Sequence, residues 1–482
     1  PNVVFILTDD QGIWAAGCYG NAEIRTPNLD RIAAEGIRFD NFFCTSPVCS
    51  PARASILTGR IPSQHGVHDW LCGGNSYAEP STREPLIEYL AGQPGYTDLL
   101  AAQGYRCGLS GKWHLGDAHH RQKGFSYWYA HARGGGDYYY APVVVDEREY
   151  RYETRYITDV ITDNAIAFLD QHTGDKPFYL SVHYTAPHSP WGREQHPHEI
   201  FEHYHNDCRF ASVPELPRHP WGRSFKEFFA DPAKRREMLS GYFAATTAMD
   251  GGVGRLLDWL EQHNLRDDTL VVFMSDNGMN MGHHGICGKG NGTYPQNMYD
   301  TSVKVPCLMS RPGHLPQGTV SRELYSQYDF MPTLLDYLGI DNPDAAALPG
   351  TSFAGMLRGE PETQRDSVVV YDEYGPVRMI RSHTHKYVHR YPDGPHELYD
   401  LERDPDEERN LIDDRAQRAL VDRMRTQLES WFTRYARPDI DGINKPVTGN
   451  GQCDRADGPQ EGDAPFAQGT QPWWKPGEGP KR

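Results

Sequence analysis

The segment "CSPARASILTG", residues 49–59, holds a cysteine, a proline and an arginine at a spacing that suits chemistry better than core packing. Ser50 suits the N-cap and Pro51 the first helical position, so Cys49 is predicted to lie at the positive end of a helix. Backbone N–H groups at such a helix start stabilise an anionic nucleophile or a bound oxyanion. Arg53, one turn further on, can reach the same point. A lone cysteine at a helix start is more often an inert buried thiol, so the functional interpretation depends on what else converges there.

Two pairs of acidic or amide side chains follow strand-like segments elsewhere in the chain. Asp9 and Asp10 come directly after the apolar run at residues 3–7, and Asp276 and Asn277 come after "TLVVFMS". Oxygen ligands of this kind suit a hard cation, calcium or magnesium, and the sequence has no Cys/His cluster of the zinc type. Asp and Asn are also common helix caps in strand–helix turns, which is the better reading of either pair alone. Two pairs at strand ends of one sheet favour a metal site.

Basic and imidazole side chains follow further strand-like segments. Lys112 and His114 lie in "GLSGKWHLG", His188 lies in "YTAPHSPW", and Lys289 lies in "GICGKGNGTYP" downstream of Asp276. Each of them alone is more typical of a surface lysine or a hydrogen-bonded histidine. Together they bring cations and imidazoles from several strand ends to one site. Such a site suits binding of a tetrahedral oxyanion ester and its cleavage by a separate acid and base.

The candidate residues can form one site only if the strands that they follow end at the same edge of one sheet. In "TPNLDRIAAEG" the sequence predicts a helix with Thr26 as N-cap and Pro27 at the first helical position. Strand-like and helix-like segments then alternate through most of the chain, which indicates a mostly parallel sheet with helices on both faces. Ligands bind such folds beyond the carboxyl ends of the strands.

The pattern changes near residue 365, where short strand-like runs such as "SVVVYDEY" precede one helix near "RALVDRMRTQLESWFTRYA". We therefore predict a catalytic domain over residues 1–364 and a small α+β subdomain over residues 365–437. The Gly/Pro-rich tail, residues 438–482, carries Trp473 and Trp474. We expect it to lie against something, such as a neighbouring subunit, so a homo-oligomer formed through the tail stays open.

Composition limits the partners. The 482 residues carry a net charge of −17, which argues against nucleic acid or an anionic membrane as the main partner. A small anionic substrate needs only a local positive focus. No apolar run approaches the roughly 20 residues of a membrane span.

The nine cysteines are scattered and show no CxxC pair, so most of them, Cys44 included, read as buried thiols. This usage slightly favours the cytoplasm over the periplasm or secretion. The chain begins at Pro1 rather than Met, so we expect its natural start, and any signal peptide, to be missing.

The combination of motifs resembles the sulfatase family: a strand ending in DD, CxPxR followed by "LTGR", "GKWHLG", a PH after a strand, and "SDNG" then "GKG". The resemblance covers about residues 1 to 310, and CxPxR is its most specific element. It implies a formylglycine-dependent type I sulfatase with the alkaline-phosphatase-like fold. That fold is an α/β/α sandwich with a large mostly parallel sheet and a smaller C-terminal α+β domain with a short antiparallel sheet.

In this family a separate formylglycine-generating enzyme oxidises the cysteine of CxPxR, and the hydrate of the resulting aldehyde is the nucleophile. A bare thiolate would form a stable adduct with sulfur and have no easy exit. The resemblance further implies one calcium ion, held by Asp9, Asp10, modified Cys49, Asp276 and Asn277.

The remaining roles are likewise implied by the resemblance. Arg53 would stabilise the diol, and Lys112 and His188 would bind the sulfate oxygens. Lys289 would bind near the leaving oxygen and help to protonate it. His114 would take the proton from the second hydroxyl, and Asp276 is the candidate base toward the attacking one.

Some positions depart from the family pattern. The insertion "GNGTYPQNM" after Lys289 makes Lys304 and Asn291 alternatives to that lysine. His283 and His284 suit loop polarity and substrate contact equally. The loops at residues 131–142 and 194–205 are expected to shape the pocket.

We therefore predict a sulfuric ester hydrolase acting on a sulfated carbohydrate or a small aryl or alkyl sulfate. A phosphonate monoester or phosphodiester hydrolase is the nearest alternative, because the same fold and nucleophile serve both. A catalytically inactive protein that binds sulfated glycans is an alternative from another class.

Overall fold

The structure is a computed structural model that describes residues 1–76, 86–147, 149–458 and 465–467. Trp473 and Trp474 lie outside these residues, so the expected packing of the last part of the tail stays a prediction. In the described ranges, no helix combines the length and the apolar character needed to cross a membrane.

The strands of the described chain form one large sheet, one small antiparallel sheet and two short pairs. In chain order they are β1 Asn2–Thr8, β2 Gly36–Phe39, β3 Phe42–Phe43, β4 Arg106–Lys112, β5 Phe125–His131, β6 Ala141–Val145, β7 Glu149–Glu153, β8 Phe178–His183, β9 Thr269–Ser275, β10 Asn280–Met281, β11 Cys287–Gly288, β12 Cys307–Ser310, β13 Thr319–Ser321, β14 Tyr325–Ser326, β15 Val368–Asp372, β16 Val377–Arg381, β17 His385–Arg390 and β18 Glu397–Asp400.

The large sheet has ten strands in the order β13-β2-β12-β9-β1-β8-β4-β5-β6-β7. Its centre, from β9 to β5, is parallel throughout. Strand β12 runs antiparallel to both β9 and β2, and β6 and β7 continue the other side as an antiparallel ribbon. The predicted α/β sheet is therefore confirmed, as a mixed sheet with a parallel centre.

Helices cover both faces of this sheet. The α-helices of the described chain, of which α12 packs on the small sheet instead, are α1 Pro27–Ala34, α2 Cys49–Thr58, α3 Pro62–His65, α4 Tyr96–Ala102, α5 Ile157–Leu169, α6 His198–Asp207, α7 Lys226–Ala230, α8 Pro232–Gln262, α9 Asp300–Val303, α10 Phe330–Leu338, α11 Ala354–Leu357 and α12 Arg418–Tyr435. As predicted, α1 begins at Pro27 with Thr26 as its N-cap.

Strand β1 shows why the two layers form. All seven of its residues are buried, and successive side chains point to opposite faces. Val3, Phe5 and Leu7 join the core on the side of α2, α4 and α10, whereas Val4 and Ile6 join the core on the side of α1, α5 and α8. A near-continuous apolar run is what a strand covered on both faces requires.

The C-terminal part forms the predicted antiparallel sheet, in the order β15-β16-β17-β18, with α12 packed on it. A largely buried ion-pair cluster joins this sheet to α9. Lys386 Nζ lies 2.5 Å from Asp300 Oδ1 and 2.5 Å from Glu407 Oε1, and Arg381 pairs with Asp300 at 3.2 Å. The small sheet is thus fixed against the large one by charge pairs as well as by apolar packing.

Candidate active site

Helix α2 begins at Cys49 itself, with Val48 in an extended conformation as its N-cap. The predictions that Ser50 is the N-cap and Pro51 the first helical residue are therefore wrong, since Pro51 is the third residue of α2. The Ser50 hydroxyl instead accepts a hydrogen bond from the backbone N–H of Leu71 at 3.2 Å, so it fixes a neighbouring loop rather than the helix end. Every residue of α2 is buried, and Gly59, with φ 65°, ends it.

The two strand-end pairs meet because β1 and β9 are adjacent and parallel. The backbone N–H of Asp10 donates to Asp276 Oδ1 at 3.1 Å, and Asn277 Nδ2 donates to Asp10 Oδ1 at 2.8 Å. Asp9, Asp10, Asp276 and Asn277 are all buried. The sequence-predicted acidic cluster therefore exists as one buried group at a single edge of the sheet.

Each carboxylate of the cluster has a basic partner. Lys112 Nζ contacts Asp9 Oδ2, Lys289 Nζ lies 2.5 Å from Asp10 Oδ1, and Arg53 Nε donates to Asp276 Oδ2 at 2.9 Å. Arg53 also donates to the backbone carbonyl of Lys112 at 3.1 Å, while its Nη2 is buried without a hydrogen-bond partner. Three carboxylates and three cations thus balance at the core of the site.

Burial and charge move the carboxyl pKa values in opposite directions. Burial alone would raise the pKa of Asp9, but the charges of Lys112, His188 and other nearby basic groups hold it well below its usual range. Burial, together with the negative charge of Asp9, raises the pKa of Asp276 to about 7. One group of this cluster is therefore a firm anion, and another can exchange a proton near neutral pH.

The thiol of Cys49 faces Lys289, with 3.5 Å between Sγ and Nζ. Burial raises the pKa of this thiol, although Lys112 and Lys289 act in the opposite direction. Since the thiolate rather than the thiol is the nucleophile, unmodified Cys49 is poorly suited to attack at neutral pH.

His114 and His188 differ in which ring nitrogen donates a hydrogen bond. His114 Nε2 lies 3.2 Å from the carbonyl of Leu71, which can only accept, so Nε2 carries the proton. Burial and the charge of Lys112 hold the pKa of His114 well below its ordinary value, which leaves Nδ1 as a buried base without a partner. His188 Nδ1 donates to the carbonyl of Ser189 at 2.7 Å, and its Nε2 faces Asp10 Oδ2 at 3.7 Å.

A cavity of about 650 Å³ opens onto these groups. It is lined by Val48, Cys49, Trp70, Leu71, Cys72, Asn75, Ser76, His114, Arg133, Gly134, Gly135, His188, Lys289 and Asn291. The loop at residues 131–142 reaches it as predicted. The lining from residues 70–76 was missed, because nothing in that segment marks it as functional.

Other expected contacts are absent from the described lining. No residue of 194–205 is part of it, because that segment packs its buried side chains elsewhere, as His196 does against Tyr138. His283 packs against Trp14 and His284 stacks on Tyr299.

Lys304, proposed as an alternative to Lys289, pairs instead with Asp300 at 3.7 Å in the cluster that holds the C-terminal sheet. Asn291, the other alternative, does line the cavity.

The cluster has unmet polar groups that fit a hard cation. Asp9 Oδ1 and Asn277 Oδ1 are buried acceptors without a hydrogen-bond partner. Ligand atoms of Asp9, Asp10 and His188 lie within 4.8 Å of one another. Buried orphan acceptors each cost about 1–3 kcal/mol unless something binds them. Asp276 differs, because both its oxygens already accept N–H bonds, from Arg53 and from backbone groups.

Comparison with known proteins gives a consistent result. The sequence model of the sulfatase family matches residues 1–340, and that of the N-sulphoglucosamine sulphohydrolase C-terminal region matches residues 291–433. An N-acetylglucosamine-6-O-sulfatase of Bacteroides thetaiotaomicron is 29% identical over 489 residues, covering 86% of this chain and 82% of that protein. An ulvan-active sulfatase of Formosa agariphila is 30% identical over 432 residues, covering 86% of this chain and 77% of that protein.

A solved structure of a protein in complex with its substrate D-glucosamine-2-N,6-O-disulfate superposes with a TM-score of 0.71. The two chains are 26% identical, and the match covers 91% of this chain and 99% of the other.

Proposed function

The chain belongs to the sulfatase family and is a sulfuric ester hydrolase, and from that premise we propose that it cleaves a sulfate monoester of a carbohydrate. We infer that it uses formylglycine made from Cys49 and a single calcium ion. One observation carries the proposal: Cys49, Lys289, His114 and His188 line one cavity at the edge of a buried carboxylate cluster. A buried thiol with a raised pKa is a poor nucleophile there, which favours its conversion by a formylglycine-generating enzyme.

The modified residue would supply a hydroxyl nucleophile, and calcium would supply positive charge beside the sulfate oxygens. Asp9, Asp10 and Asn277 are the proposed ligands on the strength of their open or charged oxygens. Asp276 and modified Cys49 complete the set implied by the family resemblance.

Lys112 and Lys289 are proposed to bind sulfate oxygens together with His188. The two ammonium groups pair with Asp9 and Asp10, the same carboxylates that would hold the cation. A cation there would compete for those carboxylate oxygens and would leave both ammonium groups available to the anionic ester. Lys289 is also proposed to give the leaving oxygen a proton, and its Nζ lies 3.5 Å from Cys49 Sγ, which supports that role.

The proton acceptors are separate from these donors. His114 is neutral, and its free Nδ1 lone pair is the proposed acceptor for a proton from the nucleophilic residue. Arg53 holds Asp276 through Nε and keeps Nη2 available for an oxygen at position 49. A buried salt bridge of this kind keeps both groups in one geometry.

The test is peptide mass spectrometry of residue 49, combined with turnover of sulfated sugars. Conversion lowers the mass by the difference between thiol and aldehyde, and turnover should follow the converted fraction across preparations. Cys49→Ala should abolish turnover and keep the fold, whereas Cys18→Ala, at a half-buried thiol outside the cavity lining, should keep both. An active preparation with wholly unmodified Cys49, or phosphodiester turnover many-fold above sulfate turnover, would contradict the proposal.

A further inference from the structure

The loop after β5 runs directly over the two histidines of the cavity. An alanine Cβ at Gly134 would lie 2.2 Å from His114 Cε1, and one at Gly135 would lie 2.9 Å from His188 Cε1. These separations leave no room for a side chain, so glycine allows the backbone to rest on both imidazoles. Arg133, the preceding residue, is therefore carried to the cavity wall beside the reacting groups.

The backbone of this loop is anchored although the Arg133 side chain is exposed. His131, 1% exposed, donates from Nδ1 to the carbonyl of Arg133 at 2.8 Å. The backbone N–H of Ala132 donates to the carbonyl of Pro142 at 2.8 Å. An arginine side chain on an anchored backbone loses less freedom when it binds a ligand than one on a mobile loop.

The Arg133 guanidinium forms no ion pair within the described part of the chain. It lies near the neutral hydroxyl of Tyr150. By contrast, Arg151 on the neighbouring strand β7 pairs with both Glu149 and Glu153. Lys289, the lysine in the cavity lining, pairs with Asp10. Among the described lining residues, Arg133 is thus the guanidinium or ammonium group without a carboxylate partner.

We propose that Arg133 binds a second anionic group of the substrate, a sulfate or a carboxylate carried beside the ester that is cleaved. The proposal rests on the proposed hydrolysis of carbohydrate sulfates. A guanidinium matches either oxyanion through two parallel hydrogen bonds. A chain with a net charge of −17 also needs a local positive focus to attract a doubly anionic sugar. The similar solved protein has a doubly sulfated glucosamine as its substrate.

The experiment compares kcat and KM for glucosamine 6-O-sulfate, D-glucosamine-2-N,6-O-disulfate, and a 6-O-sulfated disaccharide whose neighbouring sugar is a uronic acid. Wild-type enzyme should show a lower KM for at least one doubly anionic substrate, and which of the two it prefers identifies the second group as sulfate or carboxylate. Arg133→Gln should raise KM for that substrate by about tenfold, the loss of one charge-assisted contact, and leave kcat and the monosulfated sugar unchanged. Arg133→Lys should restore part of the loss.

Arg151→Gln is the matched control, since it removes an exposed arginine of β7 that is not part of the cavity lining. Equal KM values for singly and doubly anionic sugars in wild type, or the same change on all three substrates in Arg133→Gln, would overturn the role of Arg133. Turnover of the monosulfated sugar by wild type tests the proposed function separately, because that substrate has no second anionic group.

Discussion

Replacement of Gly134 by alanine tests how closely the cavity loop fixes the proposed base. The new Cβ would lie 2.2 Å from His114 Cε1, whereas Cβ contacts below 3.0 Å essentially do not occur, so loop and imidazole must separate by at least the 0.8 Å difference. Such a shift strains the 3.2 Å bond from His114 Nε2 to Leu71. A misplacement of about 1 Å can cost about 100-fold in rate.

The loss of activity should differ between the two glycines of the loop. Gly135→Ala would meet His188 Cε1 at 2.9 Å, so it needs a far smaller shift and should lose much less activity than Gly134→Ala. Gly251→Ala, on the exposed face of α8 with nothing within 4 Å of the new Cβ, is the control and should keep full activity.

The assay is kcat on a saturating sulfated sugar, with the thermal unfolding midpoint measured on each variant. A Gly134→Ala enzyme with wild-type kcat, or one less impaired than Gly135→Ala, would refute the reasoning from close approach. A drop in the unfolding midpoint that accounts for the lost activity would refute it equally, because the argument concerns position and not stability.

Three further predictions concern stability and redox state. Lys386→Met leaves the buried carboxylate of Glu407 and the half-buried one of Asp300 without their lysine and should lower the free energy of unfolding in urea by about 3–5 kcal/mol, whereas Lys234→Met, at an exposed pair, should have almost no effect. Burial raises the pKa of Asp250 to about 6, so the folded state binds the proton more tightly and the free energy of unfolding falls as pH rises from about 4 to 6. Asp250→Asn should remove about 3 kcal/mol of that fall, and an unchanged pH profile would contradict the assignment. The Cys72 and Cys453 sulfur atoms lie 2.7 Å apart, so oxidised glutathione should convert the two thiols to a disulfide, with loss of two hydrogen masses from the joined peptides and no cross-link in Cys72→Ser.

The sequence allowed the positions around the nucleophile to be predicted because they sit where regular strands end. Asp9 and Asp276 each follow a buried strand and Lys112 is the last residue of one, and parallel strands bring such positions to one edge of the sheet. Lys289 lies on an irregular segment, yet it reaches Cys49, because it sits only twelve residues beyond Asn277 and next to the short pair β10–β11.

The cavity rim could not be predicted in the same way. The loop at residues 131–142 was expected to shape the pocket, but nothing singled out Arg133 within it. Trp70 also lies on an irregular loop, and an exposed tryptophan or arginine in a loop has no periodicity that sets it apart. The prediction that Ser50 is the N-cap was wrong for a related reason. Its type suits an N-cap, but a tertiary contact to Leu71 uses its hydroxyl, and the helix starts at Cys49, two residues before the predicted first helical position at Pro51.

The pairing of cations with carboxylates explains how so many buried charges coexist at the centre. Removing an ion from water costs several kcal/mol, and a pair restores this only with good geometry and further hydrogen bonds. Here Lys112, Lys289 and Arg53 neutralise Asp9, Asp10 and Asp276, so the site is balanced before any ligand binds. A divalent cation at the carboxylates adds two positive charges, and a singly charged sulfate ester at the lysines offsets one of them. Each therefore favours the other, and binding of the cation and of the sulfate ester should be mutually cooperative.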